Sequence, residues 1–167
     1  MLVVFRERPG RGHRHVVRQR DVHAFVSLLP GWGTLARGLD AVLLAGNERG
    51  CDGWHVPGLV ALCAWEAWSP VVRERTYVDD HADILDRLCV AREPASDPDS
   101  MLCHFSENQA RAFLLLHVLL HELGHHHDRM TTRKRLCAER GEAFAEAWAR
   151  ENEARVWERY TRTFEVF

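Results

Sequence analysis

The chain has 167 residues, 46% of them hydrophobic and 28% charged, and a formal net charge of −2. That length suits a single domain with a real core, expected here over 1–167 with a sheet-containing part at 1–100 and a helical part at 101–167. The composition excludes a disordered or fibrous chain, and the near-neutral charge supplies no global field that would draw it to nucleic acid.

Residues 2–5 read as a first strand. The apolar stretch there is too short, and charge follows too soon, for a signal peptide. Asp21 is placed to N-cap a short helix over 22–29, before Pro30 and Gly31. Residues 39–45 and 57–65 are apolar runs of strand character, separated by a turn-rich segment at 46–53 through which they could pair. Asp79 and Asp80 open a helical segment to about residue 91, with Ile84, Leu85 and Leu88 on one face. Residues 92–100 hold Pro94 and Pro98 and read as a loop. Ser106 followed by Gln109 is a capping-box pair, starting a helix that runs to about residue 129. Residues 130–136 form a polar, basic connection, and a last helix rich in Ala, Glu and Arg spans about 137–162. The fold class expected from this order is α+β, with a small mixed sheet packed on two helices. The apolar run at 112–123 is shorter than a membrane span and carries His117, His121 and Glu122, so it reads as a buried core helix and no membrane is expected. Cys51, Cys63, Cys89, Cys103 and Cys137 are odd in number and form no C-x-x-C pair, which points to reduced thiols and a cytoplasmic setting.

The most informative stretch is His121-Glu122-Leu123-Gly124-His125, an H-E-x-x-H sequence within that apolar helix. Residues four apart lie on one helical face, so both imidazoles can point at one metal ion. Glu122 stands beside them as a carboxylate base. This is the pattern of zinc metallopeptidases, and Zn2+ is the expected cofactor. A catalytic zinc keeps three protein ligands and one position for water. Thr131 occupies the position where a longer H-E-x-x-H-x-x-G-x-x-H pattern would place its third His. The acidic candidates lie on the last helix: Glu139, Glu142, Glu146 and Glu151. Ligand chemistry alone accepts either Glu142 or Glu146, which share a face. A small residue one turn after the carboxylate would let the two helices approach.

His121-Glu-Leu-Gly-His125 with a downstream Glu142-x-x-Ala145-x-x-Trp148-Ala149 resembles the ImmA/IrrE-type metallopeptidases and, more broadly, the zincins with a glutamate ligand. The resemblance covers about 106–149. It places the third ligand on Glu142, the small residue on Ala145 and the aromatic on Trp148. Glu146 stands where the family pattern has Asn, and the gap from His125 to Glu142 is short. The resemblance implies a minimal zincin, with an edge strand over the cleft and Glu122 as general base. The reaction it implies is hydrolysis of a protein or peptide substrate.

A substrate could add itself to an exposed strand, for which 58–65 is the candidate. Tyr77, Tyr160, His104, His117 and several arginines are candidate donors to the reacting carbonyl oxygen. His117 lies one turn before His121 and reads as a packed, hydrogen-bonded residue. His126 and His127 point off the ligand face and read as surface or supporting residues. Asp128 could orient a ligand imidazole, cap a helix or bond Arg129. The basic cluster over 129–140, with Arg133, Lys134 and Arg135, reads as a solvated connection. It also defines the less favoured nucleic-acid-associated reading. The other alternative is a zinc-binding regulatory or interaction module without efficient proteolysis.

Overall fold

A computed structural model describes residues 2–47, 50–132 and 138–166. The chain begins with β1 (Val3–Arg6), the short β2 (His13–Arg14), α1 (Gln19–Leu28), the one-turn α2 (Trp32–Leu35) and β3 (Ala41–Ala45). It continues through β4 (Gly53–Val56), β5 (Leu59–Cys63), β6 (Trp65–Glu66) and β7 (Val71–Glu74). Two short helices follow, α3 (Arg75–Asp80) and α4 (Ala82–Arg87), then β8 (Ala91–Pro94) and β9 (Ser100–His104). A long central helix comprises α5 (Glu107–Phe113), a π-helical stretch (Leu114–Leu119) and α6 (Leu120–Thr131), and α7 (Gly141–Thr163) follows. The fold is α+β, as expected.

The principal sheet has the order β1-β3-β5-β4. β1, β3 and β5 are parallel, and β4 is antiparallel to β5 at one edge. The two apolar runs therefore do pair, but side by side and in parallel. Their inner strands alternate as the pleat requires. Val42, Leu44, Val60 and Leu62 enter the main core, while Ala45, Ala61 and Cys63 form a small cluster with Trp54 on the other face. The central helix is buried all round through Leu114–Leu119, so it is the spine of the core. Burying each of its leucines contributes roughly 1.5–3 kcal/mol.

Several boundaries differ from expectation. Asp21 is not the N-cap of α1. It sits at the third position of the helix, and its carboxylate accepts the Arg18 N–H at 2.8 Å. The helix expected to run to residue 91 ends at Arg87, and Cys89 turns the chain with φ +55°. Ile84, Leu85 and Leu88 are buried as their spacing implied. Residues 91–94 are strand rather than helix or loop, because they pair antiparallel with β9, which also pairs with β7. The capping box forms as expected, with Ser106 Oγ accepting the Gln109 N–H at 3.1 Å and Gln109 Oε1 accepting the Ser106 N–H at 2.8 Å. The last helix starts at Gly141 and ends at Thr163. Cys137, Arg133, Lys134 and Arg135 lie outside the described residues, and among the described cysteines Cys51, Cys89 and Cys103 are free thiols. Among the described residues, no helix is long and apolar enough to cross a membrane.

Candidate metal centre

The site forms where α6 lies against α7, and the closeness of that approach has a local cause. A Cβ on Gly124 would stand 2.9 Å from both Cα and the carbonyl oxygen of Ala145. Glycine on α6 therefore lets the backbone of α7 come down onto the motif helix. Asp128, fully buried on α6, fixes the start of α7. Its carboxylate accepts the backbone N–H groups of Arg140 at 2.8 Å and Gly141 at 3.1 Å, and Arg140 Nε at 2.8 Å. Asp128 thus caps a helix and, of the roles open to it, does not bond a ligand imidazole. Burial alone would raise its pKa, but these donors outweigh burial and hold the carboxyl below the usual range.

With the helices so placed, the first turn of α7 brings Glu142 to the two motif histidines. His121 Nε2 lies 3.1 Å from Glu142 Oε2, and His125 Nε2 lies 3.2 Å from Glu142 Oε1. The two Nε2 atoms are 3.1 Å apart. A tetrahedral ion with bonds of about 2.0–2.1 Å would set its donors roughly 3.3 Å apart, so these separations suit a shared metal. The His121 and His125 rings are inclined at 77°, which lets their in-plane lone pairs converge.

A second group, His55, Glu122 and His125, also lies close enough to be considered for a metal. Its rings argue against it. His55 and His125 stack with centroids 4.4 Å apart and planes at 15°. Lone pairs of parallel rings lie in parallel planes and do not meet at one ion. Glu122 is moreover engaged by His55 Nδ1 at 2.9 Å. We therefore take His121, His125 and Glu142 as the group that fits a metal, with Glu122 beside it.

Glu146 backs this candidate group. Its Oε2 accepts from His121 Nδ1 at 3.3 Å, the kind of partner that fixes a ligand imidazole's orientation. The bond from His121, with Arg150 further along α7, holds the Glu146 carboxyl down at about 2. Burial by itself would lower the His121 pKa, but Glu146, Glu122 and Glu142 together raise it. His125 goes the other way, lowered by burial, and its Nδ1 is buried without a hydrogen-bond partner. His117 is buried one turn before His121 and is lowered to about 4, first by burial and then by His81. It stays neutral at pH 7.

A cleft of about 490 Å³ opens over this group, lined in part by Asp52, His81, His117, Glu122, Glu146 and Arg150. No family model, curated protein or solved structure matches this chain.

The remaining expectations sort by position. Tyr77 donates to Asp52 at 2.5 Å, Tyr160 is buried in the core, and His104 on β9 pairs with Glu93 on β8. Of the four named oxyanion candidates, His117 lines the cleft. His126 is buried rather than at the surface, and its Nε2 donates to the carbonyls of Leu35 and Arg37, both at 3.1 Å. His127 packs beside Phe144 and Trp148. The expected substrate strand at 58–65 is overturned: β5 is an interior strand paired on both sides, and the edge beside the site is β4. Sequence reasoning missed β4 and with it His55, because a four-residue strand beginning with Gly after a turn-rich segment carries almost no periodic signal.

Proposed function

We propose that this chain is a zinc-dependent peptidase that hydrolyses a peptide bond in a cytoplasmic protein, with His121, His125 and Glu142 holding zinc and Glu122 as general base. The observation that carries the reading is the convergence of two imidazole Nε2 atoms, 3.1 Å apart, on the Glu142 carboxylate, whose Oε2 lies 3.1 Å from His121 and whose Oε1 lies 3.2 Å from His125, beside the buried Glu122 at a cleft. Two imidazoles and one carboxylate are a recurrent ligand set for catalytic zinc, whereas structural zinc takes four closed protein ligands. The resemblance to glutamate-ligand zincins of the ImmA/IrrE type supports the same reading. The free thiols of Cys51, Cys89 and Cys103 suit a reducing compartment.

When bound, zinc supplies Lewis acidity, which activates water and polarises the scissile carbonyl. The residues do the rest. His121 and His125 present neutral Nε2 atoms, and Glu146 fixes the orientation of the first. Glu122 takes the proton of the attacking water and delivers it to the leaving amine. β4, the end strand of the sheet among the described residues, offers backbone groups along which an extended substrate can lie. The test is cleavage of denatured casein by the zinc-loaded protein. Chelation should abolish it and one equivalent of zinc should restore it. Cleavage that persists after verified removal of the metal would refute the reading.

A further inference from the structure

The H-E-x-x-H pattern names the base and two ligands but does not say what aims the base. An ionised carboxylate only accepts hydrogen bonds, so at 2.9 Å the proton between His55 Nδ1 and Glu122 Oε2 belongs to the imidazole. His55 comes from a different layer of the fold. It lies on β4, the edge strand, and alternation along that strand places it on the same face as Gly53. Gly53 is what brings that face down onto the motif helix. A Cβ there would stand 2.5 Å from Val118 Cγ1 and 3.3 Å from Glu122 Cγ. The opposite face carries Trp54 into the small second cluster, which anchors the strand from behind. The His55 side chain is 27% exposed and that of Glu122, which lines the cleft, is 10% exposed, so the bond is largely shielded from open solvent. The ring of His55 also lies flat on that of His125.

We propose that His55 is a positioning residue: its Nδ1–H holds the Glu122 carboxylate toward the cleft, beside rather than within the metal's ligand set. The edge strand then has two duties, a backbone edge for the substrate and a donor for the base. Fixing one oxygen of Glu122 leaves the other free to receive a proton. The stack on His125 sets the plane of the His55 ring and so the direction of its Nδ1–H. The kinetic part of this inference rests on the peptidase reading, while the His55–Glu122 interaction itself does not.

Three substitutions separate donor from ring. His55→Asn keeps a donor near the Nδ1 position and removes the stack. His55→Phe keeps the stack and removes the donor, and His55→Ala removes both. All three should retain the zinc content of the unsubstituted protein. On denatured casein, kcat should fall about hundredfold for Phe and Ala, the scale of a misplaced catalytic group, and less than about tenfold for Asn, with KM little changed. In metal-free protein, urea unfolding of His55→Phe, Glu122→Ala and the double variant should be non-additive by about tenfold in the unfolding equilibrium constant. Zinc lost from His55→Ala would make His55 a ligand and overturn the proposal. So would Phe outperforming Asn, which would assign the role to packing, and so would additivity in the cycle. If the zinc-loaded unsubstituted protein leaves casein intact, the peptidase reading falls and the cycle alone decides: coupling upholds the interaction and additivity overturns it.

Discussion

Gly124→Ala sets two opposed effects against each other. In an ordinary helix the change gains about 1 kcal/mol from propensity. Here the new methyl group would stand 2.9 Å from Ala145 Cα and from its carbonyl oxygen. Ordinary contact begins near 3.4 Å, so α7 must retreat by about 0.5 Å, and backbone cannot rotate away as a side chain can. Overpacking of this kind costs about 1–3 kcal/mol, which cancels or outweighs the gain in propensity. We expect a net loss of up to about 2 kcal/mol in urea unfolding of the metal-free protein. The retreat also carries Glu142, on the first turn of the same helix, away from His121 and His125. Zinc affinity measured by chelator competition should fall about tenfold, equivalent to about 1.4 kcal/mol. Adding Ala145→Gly should not restore it, because the opposing atoms are backbone. A Gly124→Ala protein that is more stable by about 1 kcal/mol and binds zinc as before would refute the close-approach argument.

His121→Ala and His125→Ala should each remove most of the zinc from purified protein, read by metal analysis, since only two protein ligands would remain. Glu142→Gln should weaken zinc binding more than Glu146→Gln in chelator competition. The first loses an anionic ligand, whereas the second alters the partner of His121 Nδ1 and should cost about tenfold. Asp128→Asn should destabilise the metal-free protein at pH 7 by about 2 kcal/mol, because it weakens the cap of α7 and the pair with Arg140. The Asp128 pKa is depressed in the folded state, so its contribution is complete above the unfolded value of about 3.9 and is lost as pH falls through the lower folded value. The difference between the two proteins should therefore shrink below about pH 4, measured as urea midpoints against pH. A constant difference down to pH 2 would contradict it.

What could be read from the sequence was what repeats locally. A spacing of four on an apolar helix puts His121 and His125 on one face, and Ser106 with Gln109 marks where that helix begins. Glu142 could be placed only through a motif on a second helix. Its approach depends on Gly124 and Ala145 meeting across the chain, which no local pattern encodes. The small antiparallel sheet of β7, β8 and β9 was not legible, because β8 is mostly exposed and ends in Pro94, which looks like loop chemistry. β4 was obscured for a related reason: Gly53 weakens any strand signal, yet its missing side chain is what seats the strand on the motif helix. The basic residues at 133–135 announce charge without announcing a partner.

The central claim is tested most directly by comparing casein cleavage by the zinc-loaded protein and by Glu122→Gln at equal, measured zinc content. Glutamine keeps the shape of the side chain but cannot take a proton from water. The account predicts one zinc per chain in both proteins and a rate at least about a hundredfold lower in the variant. Equal cleavage by the two proteins at equal zinc content would contradict it.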